Sequence, residues 1–193
     1  MNEKNFYISI RLSLFNGKIK PLQFNGIDAI MDEWNKRQLT DMRWLAYILA
    51  TVFHETAKTM QPIEEYGKGR NRTYGHRVKH SGKPYTDTQN IFYGRGFVQL
   101  TWYENYQRFS KLLGVDLINH PELSLDLKIS TQILFEGMTR GVSRVGDFTG
   151  KSLEDYFNDK KEDWVNARRI INGVDCAVII ASYAKDFYKA LKS

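Results

Sequence analysis

Two carboxyl-bearing segments lie close together in this chain: His54-Glu55-Thr56 and, nine residues after Glu55, the pair Glu64-Glu65. A third segment, Tyr93-Gly94-Arg95-Gly96-Phe97-Val98-Gln99-Leu100-Thr101-Trp102, adds a glycine-bracketed arginine, an amide, a hydroxyl and aromatic rings. Hydrolysis of a carbohydrate needs that inventory. One carboxyl protonates the leaving oxygen, another activates water, and flat polar surfaces hold the sugar rings. The combination implies the core of a glycosidase.

Glu55 is expected at the C-terminal end of a helix, two residues after Phe53. Partial burial and the negative end of the helix dipole both disfavour a charged carboxyl there, which suits a general acid. The plainer alternative is a surface glutamate paired with Lys58. His54 beside it invites a zinc reading, but His-Glu-x-x-His needs a second histidine four residues on, and that position is Lys58. No metal and no cofactor is implied, and His54 is expected to hydrogen-bond near the acid and the substrate. Glu64 and Glu65 follow Pro62, so they leave the helix and point in different directions. One can face a cleft while the other pairs with Lys68, Arg70 or Arg72, and a carboxylate in that basic loop stays ionised, as a water-activating base must. Which of the two does so is open from the residues alone.

The third segment lacks the third glycine of a dinucleotide loop and follows no β-branched strand. Glycines on both sides of Arg95 suggest a tight backbone beside a buried or cleft-lining guanidinium. Gln99 and Thr101 can both reach a cleft only where the backbone is extended or just entering a helix. The Thr101 hydroxyl suits a water, and the amides of Gln99 and Asn105 suit N-acetyl groups. Trp102, Tyr103 and Tyr106 are sugar platforms or core aromatics.

These groups need elements to hold them. Phe6, Ile10 and Leu14 predict a helix over 4–15, closed by Asn16-Gly17. Leu22, Ile27, Ile30, Met31 and Trp34 predict one face of a helix over 21–36. The strongest pattern, 40–57, lines up Leu45, Ile48, Leu49 and Val52, with Thr40 or Asp41 as N-cap. From Gly67 to Asn90 the composition turns to Gly, Arg, Lys, His, Tyr and Thr, which reads as a long functional loop or small β-hairpin. Helical patterns return at 98–113, 124–140, 152–158, 161–171 and 176–191.

At 193 residues with 42% hydrophobic and 13% aromatic side chains, the chain has enough to build one packed domain. The single Cys176 excludes an internal disulfide and fits folding in a reducing compartment. The longest apolar run, Trp44 to Phe53, is ten residues, well short of the ~18 of a membrane span. A formal charge of +6 favours polyanionic partners.

His54-Glu55-Thr56, Pro62-Ile63-Glu64-Glu65, Tyr93-Gly94-Arg95-Gly96 with Gln99-Leu100-Thr101-Trp102, Asn105-Tyr106 and Ile170-Ile171-Asn172-Gly173 together resemble the family 19 glycoside hydrolases. The closer resemblance is to that family's phage-type branch, the endolysins that cut bacterial peptidoglycan. It covers roughly residues 40–190, so 1–193 reads as a single lysozyme-like catalytic domain in which 1–39 supplies N-terminal helices and 40–193 resembles the family. The resemblance implies a mainly α (α+β), two-lobed lysozyme-like fold with a small loop or β-hairpin region beside the cleft. It implies Glu55 as general acid, Glu64 as second carboxylate and Thr101 as the hydroxyl that orients the attacking water. Gln99, Asn105 and Asn172 match substrate-binding positions; His54, Glu65, Tyr93, Arg95 and Trp102 are further candidates for lining the substrate. Inversion at the anomeric carbon is implied, which needs carboxyls about 6.5–9.5 Å apart or more. Plant-type chitinases place the base further along, where this chain has Arg77, and carry an arginine where it has Ala184 before Phe187-Tyr188-Lys189. Their disulfides are absent too.

Peptidoglycan is anionic and chitin neutral, so Arg70, Arg72, Arg77, Lys79 and Lys83 suit peptidoglycan better. Met1-Asn2-Glu3-Lys4-Asn5-Phe6 lacks a signal-peptide pattern, and the expected location is the host cytoplasm before release to the periplasm and cell wall by another factor. A nucleic-acid-binding domain is disfavoured because the carboxylates at 55, 64 and 65 would repel phosphate, and no nucleic-acid partner is expected. A non-catalytic wall-binding module is the other alternative. Val178, Ile179, Tyr183 and Phe187, with Lys185, Lys189 and Lys192, offer a C-terminal amphipathic face for anionic outer-membrane lipid, although a helix closing the core is the better expectation. A monomer is the default expectation.

Overall fold

Every residue from Leu45 to Phe53 is buried, so the helix that carries them, α3 (Met42–Glu55), is apolar all round and forms the axis of the molecule. Asp41 caps it, its carboxylate accepting the Arg43 N–H at 2.9 Å. The computed structural model of the chain describes residues 2–139 and 148–193. Around α3 stand α1 (Glu3–Ser13), α2 (Pro21–Lys36), α5 (Leu127–Thr139) and α6 (Ala177–Leu191). Helix α6 lies along α3, α1 packs on α6, and α2 packs on α5 and α3. Phe6, Ile10 and Leu14 of the first helix enter the core as expected. On α2 the buried face is Ile27, Ile30, Met31 and Trp34, while Leu22 points into solvent.

Strands are few. β1 (Ile63–Glu64) pairs antiparallel with β2 (Arg95–Gly96), and β3 (Phe157–Asn158) with β4 (Lys161–Glu162). The long segment between β1 and β2 folds back through a tight turn in which Lys79 N–H donates to Lys83 O at 2.7 Å, next to a Val78–Pro84 bridge. Tyr85 stacks on Tyr103 with ring centroids 4.7 Å apart, and the Asn90 amide donates to the carbonyls of Ile118 and Asn119. The expected loop or hairpin is thus a docked one.

Four expected helices change. The 98–113 pattern becomes α4 (Tyr103–Leu113), because Gln99 and Trp102 take left-handed φ of 53° and 72° and keep the chain out of a helix before Tyr103. The 152–158 and 161–171 patterns become a 3₁₀ turn at Leu153–Asp155, the β3–β4 hairpin, and a 3₁₀ turn at Asn166–Ile170. Tertiary partners explain the hairpin: Trp44 Nε1 donates to Phe157 O at 3.0 Å, and the Asn158 side chain accepts the Lys160 N–H at 2.9 Å to close a local turn. The 124–140 pattern divides into a 3₁₀ turn at Pro121–Leu125 and α5; residue 140 lies outside the described residues.

Helix α6 closes the core. Phe187 is fully buried against Phe53, and Tyr183 meets the same ring edge-on at 4.9 Å. The expected lipid-facing surface of α6 therefore loses Phe187 to the interior, and Val178 and Ile179 alone of its four apolar residues stay exposed.

Candidate active site

Glu55 is the last residue of α3, and the reason is local. Ala57 and Lys58 take left-handed φ of 48° and 68°, and the Thr56 hydroxyl donates to Val52 O at 2.7 Å while accepting the Met60 N–H at 3.0 Å. Two residues upstream, Phe53 packs edge-on against Phe15, Tyr183 and Phe187, so the helix end is held by aromatic packing from three directions. Arg168 completes the support. Its Nη1 donates to Glu55 Oε1 at 2.5 Å and its Nε donates to Asp175 O at 3.0 Å. Arg168 did not figure among the expected site residues. A buried arginine needs a carboxylate partner, but nothing in the Arg168-Arg169 pair tells which of the two turns inward.

His54 makes no hydrogen bond through its ring among the described residues. Burial holds its imidazole below the ordinary range; Glu55 opposes this and Arg168 adds to it.

Glu64 stands on β1 directly opposite Arg95 on β2. The Tyr93 hydroxyl donates to its Oε1 at 2.7 Å, Lys68 Nζ lies 3.2 Å from Oε2, and Arg95 Nε lies 3.7 Å from Oε1. Those contacts, the Tyr93 hydrogen bond foremost, outweigh partial burial and hold the Glu64 carboxyl below the usual carboxylate range. Glu65 is used differently. One oxygen accepts the Tyr74 hydroxyl at 2.9 Å and the other the Gly94 N–H at 3.0 Å, so Glu65 ties the loop to β2's approach. Asp87 is likewise engaged by the Tyr103 hydroxyl at 2.6 Å.

The glycine-bracketed arginine is buried as expected. Its guanidinium lies 3.6 Å from the centre of the Tyr93 ring and donates to Ile91 O and the Tyr106 hydroxyl. Arg95 and Tyr93 both contact the Glu64 carboxylate. Gly96 has φ +88°, and a Cβ there would lie 2.9 Å from Ser124 O and from Ser130 Oγ. Only glycine fits that turn.

Gln99, Thr101, Trp102 and Asn105 come together in one cleft of about 490 Å³, closed by His80, Glu104, Arg108, Phe148 and Ile171. The turn at 97–99 and the left-handed φ of Gln99 and Trp102 bring both Gln99 and Thr101 to it. The Gln99 amide N–H is already committed to Ile63 O at 2.9 Å and Gly96 O at 3.2 Å, which leaves its carbonyl oxygen for a ligand. The Asn105 amide donates one N–H to Thr101 O at 2.9 Å, which leaves its second N–H and its carbonyl oxygen to offer. The Thr101 hydroxyl makes no hydrogen bond among the described residues. Trp102 stands in the wall with Tyr74 and His80 against it edge-on, at 5.7 and 4.8 Å between ring centroids; neither partner was expected from sequence. Asn172 is exposed, its side-chain oxygen accepting the Gly173 N–H at 2.9 Å, one residue beyond the cleft-lining Ile171.

Neither Glu55 nor Glu64 lines that cleft itself, but each is tethered to a wall of it. Gln99 binds the carbonyl next to Glu64, and Arg168 binds Glu55 from the turn that leads into Ile171.

The helical body, the small β-paired lobe and the polar cleft define a mainly α, lysozyme-like fold. The family model for chitinase class I matches residues 33–141, more than half of the chain, and the chain belongs to glycoside hydrolase family 19. It is therefore a glycoside hydrolase of a family that acts on β-1,4-linked glycans. A search of curated proteins found no match. The matched segment contains Glu55, Glu64, Gln99, Thr101, Trp102 and Asn105; Arg168 and Asn172 lie beyond it.

Proposed function

We propose that the protein hydrolyses the β-1,4 glycan of bacterial peptidoglycan as an endolysin of the N-acetylmuramidase type. Glu55 is the general acid, Glu64 the base that activates water from the opposite face of the sugar, and Thr101 the hydroxyl that holds that water, with inversion as the outcome. The observation that carries this reading is the tethering of both carboxylates to one cleft. Arg168 occupies Glu55 Oε1, which leaves Oε2 as the oxygen that can face a leaving group. Tyr93 and Lys68 keep Glu64 ionised, the state a base requires. The carbonyl oxygens of Gln99 and Asn105 suit the N–H of N-acetyl groups, and Trp102 offers a ring face to a sugar.

The substrate follows from charge. Arg70, Arg72 and Lys83 are exposed in the loop after β1 and make no ion pair among the described residues. An anionic polymer with lactyl and peptide carboxylates satisfies them, and a neutral one does not. Chitin, suggested by the family's description, is the second reading. Release of reducing ends from peptidoglycan sacculi and from chitin oligomers, at equal enzyme and at two salt concentrations, separates them. Faster cleavage of sacculi that weakens with salt supports the proposal; faster cleavage of chitin at both concentrations overturns it.

A further inference from the structure

Helix α1 is apolar on two faces. Phe6, Ile10 and Leu14 enter the core, whereas Ile8 and Leu12, set two residues off and so roughly 200° around the helix, are 42% and 65% exposed. The start of α2 adds Leu22 and Phe24, at 63% and 40%. Phe24 stacks on Tyr7 with centroids 4.7 Å apart, forming the floor of a groove of about 400 Å³ edged by Lys4, Ile8 and Arg11. Beside Leu22 a second hollow of about 650 Å³ is edged by Lys18, Lys20 and Lys58.

The cations around these apolar groups are unsatisfied. Lys4, Arg11, Lys18 and Lys20 make no side-chain hydrogen bond or ion pair among the described residues. Glu3, Asp28 and Asp32 gather in an adjoining recess that shares Tyr7 with the groove. The two hollows therefore each set exposed apolar side chains beside cations unpaired among the described residues, Ile8 and Phe24 with Lys4 and Arg11 in one and Leu22 with Lys18 and Lys20 in the other, and all of them precede the family-matched segment.

We propose that the surface around these two hollows docks on an anionic lipid bilayer. The four cations take headgroup phosphates while Ile8, Leu12, Leu22 and Phe24 enter the boundary between headgroups and acyl chains. A second copy of the chain fits poorly, since like charges would meet across the contact. A soluble anionic glycan would satisfy the cations but leave Leu12 and Leu22 in water. The surface lies on α1 and α2, not on the α6 face that the sequence suggested.

The test is co-sedimentation of the full chain with vesicles of phosphatidylcholine alone and of phosphatidylcholine mixed with phosphatidylglycerol. Wild type is expected to bind the mixed vesicles, to ignore the neutral ones and to be released by salt. Lys18→Glu with Lys20→Glu is expected to weaken binding at least about twenty-fold, at roughly five-fold per lost cation. Leu12→Gln with Leu22→Gln, which changes no charge, must also weaken it, and Lys189→Glu with Lys192→Glu on α6 must not. Absence of binding to mixed vesicles overturns the proposal. So does wild-type binding by the leucine variant, which would mean plain adsorption of a basic protein, or an equal loss with the α6 variant. The single Leu12→Gln change, in an exposed position, keeps the test readable if the double variant melts early.

Discussion

Arg168 donates from Nη1 to Glu55 Oε1 at 2.5 Å, across 113 positions of sequence, with only 5% of the arginine side chain exposed. The same guanidinium reaches Asp175 O through Nε, so one buried cation fixes both the end of α3 and the turn that leads to Asn172. Removing it leaves Glu55 without its counter-charge. Arg168→Ala is expected to cost about 3–5 kcal/mol of stability by denaturant unfolding. Arg168→Lys keeps the charge but cannot make both bonds, and should lower kcat more than it lowers stability. A fully active Arg168→Ala variant would contradict this.

The pH dependence should report Tyr93. Because the folded-state carboxyl of Glu64 lies below the ordinary range, the stability it adds is present above the unfolded carboxylate value of about 4.3 and is lost as pH falls through the lower folded value. The acid limb of kcat/KM should follow the same depressed titration, since a protonated Glu64 cannot activate water. Tyr93→Phe removes the largest contribution, so the acid limb is expected to move to higher pH with the alkaline limb unchanged. An unmoved acid limb would detach Glu64 from the reaction.

The connection between the two carboxylates is clamped to α2. A Cβ on Gly26 would lie 1.7 Å from Met60 O, Gln23 Nε2 donates to Lys58 O at 2.8 Å, and Met60 itself is fully buried. Backbone, not a flexible side chain, is in the way. Gly26→Ala should therefore displace residues 56–62 and destabilise by about 2 kcal/mol or more, measured as a fall in Tm with a larger relative fall in kcat than in affinity for glycan.

Two glycines with similar φ should behave differently. A methyl group on Gly82, at φ +81°, would meet nothing within 4 Å, whereas one on Gly96, at φ +88°, would lie 2.9 Å from Ser124 O and Ser130 Oγ. Gly82→Ala is expected to cost about 1–2 kcal/mol from backbone strain alone. Gly96→Ala adds the clash and shifts β2, so it should cost more and impair activity through Glu64. Equal effects in thermal melts would remove the special role of the Gly96 turn.

Long apolar patterns were legible in the sequence, and so were the residues that approach the cleft. The helices over 4–15, 21–36, 40–57 and 176–191 match α1, α2, α3 and α6 to within a few residues at each end, because each carries a periodic buried face. What failed depended on partners far away in sequence. Phe157 and Asn158 have helical neighbours in their pattern, but Trp44 and Arg43 take their carbonyls into a hairpin. Trp102 looks like the start of a helix until its left-handed φ is known. The site shows the same division. Gln99, Thr101, Trp102 and Asn105 share a segment whose composition betrays a cleft. Arg168, by contrast, reaches Glu55 only through the tertiary fold, and the carboxylates of Glu64 and Glu65 are told apart only by which one Tyr74 and Gly94 consume.

Protonation of the leaving oxygen of a peptidoglycan glycosidic bond by Glu55 is the step on which the proposed function rests. Its most direct test is mass spectrometry of purified peptidoglycan digested by wild type and by Glu55→Gln, after borohydride reduction of the new ends. Glutamine keeps a carbonyl for Arg168 but has no acidic proton to give. Reduced muramic acid from wild type, with a loss of at least about 10²-fold in the variant, is the predicted result. New ends released equally by both proteins, or by neither while the wall is still bound, would contradict it.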